Sequence, residues 1–132
     1  MIQMEMLFKF HFPESGLTTE IEAIVLDPGR WKILESVPFA EADLGDILTG
    51  TQADDGIVSV TGRIPQTDYK THRYVVAKHI LENQVFADFL NHLPKGTKWE
   101  NMMGGYLLLH VPLALDYDPT PDLDAAISRV PK

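Results

Sequence analysis

Imidazoles close to carboxylates are the first residues in this chain with chemistry to offer, because histidine titrates near neutrality and ligates metals in its neutral form. There are five histidines, and Asp88 and His92 share a helical face at positions i and i+4. A site assembled between the two halves of the chain from His72, His79, His92 or His110 with nearby carboxylates would make this a small-ligand-binding or enzymatic domain. The spacing argues otherwise: there is no HExxH pair, and His11, His72, His79 and His110 fall on separate segments. No GxSxG, Walker or GxGxxG pattern is present, so neither a nucleophile elbow nor a nucleotide cradle has support. Cysteine is absent altogether, which removes thiolate zinc sites, iron–sulfur clusters, disulfides and a cysteine nucleophile. No catalytic residue, metal ligand or cofactor is assigned.

Asp116-Tyr117-Asp118-Pro119-Thr120 has the DxDxT form of the aspartyl nucleophile in haloacid-dehalogenase-like phosphatases. That chemistry needs a lysine and further carboxylates from a long downstream chain, and the sequence ends soon after the motif. With Asp122 and Asp124 the same residues offer oxygen ligands to calcium, but the spacing and glycine of an EF-hand are missing. The reading preferred is a turn and N-cap at the acidic start of a helix.

Charge is the stronger signal. Between Lys32 and Arg63 there is no basic residue, while Glu35, Glu41, Asp43, Asp46, Asp54 and Asp55 all lie there. Residues 1–66 carry eleven acids and four bases, against eight and seven in residues 67–132. Like charges so concentrated repel one another, and a basic protein partner would offset them. These six acids are the candidate partner-binding residues, and Glu41, Asp43, Asp46, Asp54 and Asp55 are expected to form much of one continuous exposed face. Pairing of the strands on either side of the Asp54-Asp55 tip would set that tip and Asp46 at opposite ends of a hairpin. A basic group at Lys70, His72, Arg73, Lys78 and His79 could neutralise part of the face from within the chain. The net charge of -8 disfavours nucleic acid and anionic membranes as partners.

The elements that must position these residues follow from hydrophobic period. Met4, Met6, Phe8, Phe10 and Phe12 alternate with polar residues, as do Ile21, Ala23 and Val25, giving two strands joined at Pro13–Gly16. Trp31 and Ile33 mark a short third strand after Asp27-Pro28-Gly29. Ile47–Thr51 and Ile57–Ile64 form a hairpin across Ala53-Asp54-Asp55-Gly56, and Arg73–Ala77 makes a sixth strand. The period then changes: Asn83 caps a helix carrying Val85, Phe86, Phe89, Leu90 and Leu93, ended by Pro94 and Gly96. Lys98–Met102 and Tyr106–Val111 pair across Gly104-Gly105, and Thr120-Pro121 opens a last helix that buries Leu123, Ala126, Ile127 and Val130.

The predicted fold is α+β, an antiparallel β-rich lobe over about residues 1–66, as a meander or partial barrel, and a βαββα lobe over about 67–132, treated as one domain. Apolar residues at 45% and charged residues at 23% suit a globular chain. The N-terminus lacks the features of a signal peptide, and the apolar run Tyr106–Leu115 is too short to span a bilayer, so the expected place is the cytoplasm, with no membrane partner.

Trp31 to Asp46, with Val37-Pro38-Phe39 followed by Leu44-Gly45-Asp46, resembles the core of the bacterial domain of unknown function 4265 family. Arg73, the helix with Phe89 and Leu93, and Val111-Pro112 follow in the order seen in that family. The resemblance implies a bacterial, cytoplasmic setting and a fold, and carries no residue roles. The functional expectation is a non-enzymatic protein-binding module of the kind exemplified by immunity proteins that neutralise a basic toxin.

Overall fold

The computed structural model describes residues 5–102 and 104–131; Met4, the first expected inward residue, lies outside them. The fold is α+β and resolves into two compact units, residues Met1–Thr67 and Asp68–Lys132.

The first unit is a closed barrel of five strands in the order β1-β2-β3-β4-β5. β1 (Glu5–Phe12) and β2 (Leu17–Asp27) pair antiparallel, with Phe12 opposite Leu17 and Lys9 opposite Glu20. Gly16, at φ +71°, makes the turn, and its N–H donates to the Phe12 carbonyl at 2.8 Å. β3 (Arg30–Ile33), β4 (Ile47–Gln52) and β5 (Val58–Ile64) continue the meander. An odd number of up-and-down strands brings the last beside the first in the same direction, so the closing β1–β5 pair is parallel. It is also short, holding only Phe10 to Val58 and His11 to Ser59.

Phe10, Phe12, Ile21, Ala23, Trp31, Ile33, Leu48 and Val58 fill the barrel, and Trp31 meets Phe10 edge-on with ring centroids 6.0 Å apart. Two residues expected inside, Met6 and Val25, are exposed. Val25 adjoins a register shift in the β2–β3 pair, which ends the strict alternation. Between β3 and β4 the chain makes a single 3-10 turn over Pro38–Ala40, unpredicted because three residues show no period.

The second unit is a three-stranded antiparallel sheet in the order β6-β8-β7, from β6 (Tyr69–Val75), β7 (Lys98–Met102) and β8 (Tyr106–Pro112). Three helices, α1 (Lys78–Leu81), α2 (Gln84–Asn91) and α3 (Thr120–Arg129), accompany it. Leu107 and Leu109 of β8 pack with Phe86, Leu90, Leu123, Ala126 and Val130. The Asn83 side chain accepts the Val85 N–H at 2.9 Å, the cap its residue type predicts. β6 begins four residues earlier than expected and stops before Ala77, which instead precedes the short α1.

Candidate functional site

The acidic stretch divides once folded. Asp46, expected at the surface, is 1% exposed, and this corrects its assignment to a docking face. A buried carboxylate needs compensation, and Asp46 has it: Oδ2 accepts the Asp43 N–H and an Arg63 guanidinium N–H, each at 2.8 Å, and Oδ1 accepts the Gln66 N–H at 2.7 Å. It ties the loop before β4 to the end of β5. Glu35 and Asp43 are half-buried and engaged with other groups of the chain. Glu41, Asp54 and Asp55 are the three exposed members. Asp54 and Asp55 form the β4–β5 tip, where the Asp55 carboxylate accepts the Ile57 N–H at 2.9 Å and Gly56 sits at φ +86°. The six residues of β4 separate that tip from Asp46, about 20 Å of strand, so the six acids do not form one continuous face.

Glu41 has a different setting. It ends the 3-10 turn in the left-handed region at φ +55°, its N–H donating to the Pro38 carbonyl at 3.1 Å. A non-glycine residue held there is strained by about 1 kcal/mol. Glu41 lines a groove of about 640 Å³ in the barrel unit, with Phe12 to Ser15 on one side and Val60 to Arg63 on another. The apolar floor includes Phe12, Ala42 and Leu48, and the charged rim is Glu14, Glu41 and Arg63. Because Arg63 is paired with Asp46, the uncompensated charge of the rim is negative. Phe39, also lining the groove, is 69% exposed. Sequence reasoning missed Glu14 and Phe39. An aromatic directly after a proline and two residues before an acid was the available signal.

The histidines do not converge. His110, fully buried in β8, has Nδ1 2.8 Å from the Thr71 hydroxyl and Nε2 2.6 Å from a Glu100 carboxylate oxygen. Its neighbour in register is Thr71, whereas His72 pairs with Leu109, so the two imidazoles face opposite sides of the sheet. Burial, and then the charge of Lys70, hold His72 below its ordinary pKa, with Asp118 opposing them. His79 is exposed on α1. His92 places Nδ1 2.6 Å from the Asp88 carbonyl, where the ring N–H donates, and lines a second groove of about 550 Å³ with Phe89, Tyr117, Asp122 and Arg129. Among the described residues, no three histidines or carboxylates are grouped to hold a metal.

The DxDxT segment is occupied in starting α3. Asp118 accepts the Thr120 N–H at 3.0 Å, which holds its carboxyl below the usual range, and the Tyr117 hydroxyl donates to Asp122 at 2.7 Å. No helix among the described residues is long and apolar enough to cross a membrane.

No family model matches the chain, and no curated protein matches it. A crystal structure of a hypothetical protein from Neisseria gonorrhoeae is similar over 98% of this chain and 88% of its own, at 20% identity and a TM-score of 0.54. That likeness is one of fold.

Proposed function

We propose that this chain is a non-enzymatic protein-binding module whose barrel unit takes a basic partner at the groove beside Glu41. The observation that carries the reading is the exposed Phe39 standing with Glu14 and Glu41 on an apolar-floored groove. Interfaces concentrate their energy in such aromatic anchors, while rim acids steer a cationic partner and set its association rate. A basic toxin neutralised by an immunity protein is one partner of this chemistry, and a cytoplasmic location belongs to the same proposal. Membership of the bacterial family of unknown function 4265 is proposed on Trp31–Asp46, whose proline and Gly-Asp step form the 3-10 turn and the buried carboxylate.

The test is to immobilise the chain, identify the protein it retains from its host, and measure association at low and high salt. A basic partner should bind more slowly as salt rises, and Glu14→Lys/Glu41→Lys should slow it at least tenfold, with Phe39→Ala hastening dissociation. Reversal of Asp54 and Asp55 should change little. A partner retained equally by the Glu14→Lys/Glu41→Lys variant would remove the groove from the interface.

The groove between α2 and α3 favours a second reading, a small-ligand site. It joins an apolar wall at Val85, Phe89 and Leu93 to His92, Asp88 and Arg129. A small molecule that stabilises the chain and loses its effect in Arg129→Ala and His92→Ala would support this reading over the first.

A further inference from the structure

The barrel wall is incomplete where the groove lies. β5 runs from Val58 to Ile64, yet β1 pairs with it only at Val58 and Ser59. Two positions beyond His11 the chain reaches Pro13, which has no N–H to give a ladder, and turns into β2. From Val60 to Ile64, β5 therefore has β4 as its one paired strand among the described residues. In a strand, alternate residues direct N–H and C=O to opposite sides, so part of this ladder points away from β4 and into the gap. Gly62, in the wall of the groove, has no side chain of its own, and the Thr49 hydroxyl oxygen lies 2.9 Å from where its Cβ would stand.

Exposed edges in natural sheets are commonly guarded by free charges or bulges, and β5 carries one such irregularity, its register against β4 skipping Thr61. Here the charge at the edge, Arg63, is held by buried Asp46. We propose that the gap is a strand-addition site: an extended, lysine- or arginine-bearing segment of a partner protein pairs with β5 over Val60–Ile64. This rests on the reading that the groove takes a basic partner, and it names the mode. Main-chain bonds supply affinity in strand addition, and alternate side chains supply specificity. Alternate basic side chains of the added strand reach Glu14 and Glu41, and an aliphatic or guanidinium stem lies on the exposed ring of Phe39. A second copy of this chain is disfavoured by its net charge of -8.

The full chain is tested with a capped eight-residue peptide alternating lysine and valine, and with two versions N-methylated on one or the other backbone edge. Side chains and charge are the same in all three. Expected are binding of the parent, slowed amide exchange at Val60–Ile64, at least a tenfold loss with one methylated version and parent-like binding of the other. Glu14→Lys/Glu41→Lys should weaken the parent at least tenfold. Equal binding of all three peptides, still sensitive to Glu14→Lys/Glu41→Lys, would overturn strand addition and leave the basic-partner reading standing. Failure of the parent to bind, or binding indifferent to the charge reversal, would overturn both. Concentration-dependent dimerisation that protects the same amides in the absence of peptide would assign the edge to a second copy and overturn the proposal.

Discussion

His110 Nε2 lies 2.6 Å from Glu100 Oε1 while its Nδ1 lies 2.8 Å from Thr71 Oγ1, so one imidazole bonds to both outer strands of the β6-β8-β7 sheet. Each ring nitrogen thus has one partner, the Glu100 carboxylate at Nε2 and the Thr71 hydroxyl, which can either donate or accept, at Nδ1. A polar ring with no exposed surface is retained at no net loss only when both nitrogens are satisfied. Thr71→Val should therefore cost about 1–3 kcal/mol, because it leaves a buried ring nitrogen without its hydrogen-bond partner. Urea unfolding followed by the emission of Trp99, on β7, measures it.

Asp46 makes a comparable demand on the barrel. Asp46→Ala removes the carboxylate that accepts the N–H groups of Asp43 and Gln66 and pairs with Arg63, and is expected to destabilise by about 3 kcal/mol. The 38% exposure of the Arg63 side chain lets its charge reach water, which keeps the loss from being larger. Asp46→Asn keeps one acceptor oxygen but turns an NH2 toward a donor, so it should recover only part of that loss. Trp31, inside the barrel, reports both.

Glu41 separates stability from binding. Glycine adopts φ +55° without penalty, so Glu41→Gly should raise stability by up to about 1 kcal/mol, part of the relief being offset by the freer unfolded chain. The same substitution removes a rim acid and should slow association with a basic partner. A variant that gained stability and lost nothing in binding would place Glu41 outside the interface.

Tyr117 carries the clearest pH dependence. Burial, and then its bond to the Asp122 carboxylate, push the phenol up to about 12. The fold thus favours the protonated form; the associated stability is complete below about 10, the usual tyrosine value, and is lost as pH rises through about 12. The difference in phenolate absorbance between the native chain and Tyr117→Phe should show this late step. Asp122→Asn should move it to lower pH.

The strands and helices whose period runs over several turns were legible: Phe8, Phe10 and Phe12 in β1, and the stripe of Leu123, Ala126 and Val130 on α3. One-turn elements were not, since Pro38–Ala40 and Lys78–Leu81 are too short to display a period. The start of β6 was hidden because polar Thr71 serves buried His110, a partnership 39 residues apart in sequence. Distance along the chain also concealed the β1–β5 closure. Counting acids located the charge but had no means of telling buried Asp46 from exposed Glu41; the nearest sign was that Arg63, the first base after the run, sits on the neighbouring strand.

The parallel closure of the barrel also fixes how the unit answers to force. With β1 and β5 side by side and running the same way, the chain enters at one end of the barrel and leaves at the other. Tension applied through Glu5 and Ile64 would slide these strands lengthwise and load their bonds together, where antiparallel terminal strands would unzip one rung at a time. The β1–β5 clamp has only two paired positions, so the longer β1–β2 ladder, from Glu5–Ile24 to Phe12–Leu17, would carry the remaining load.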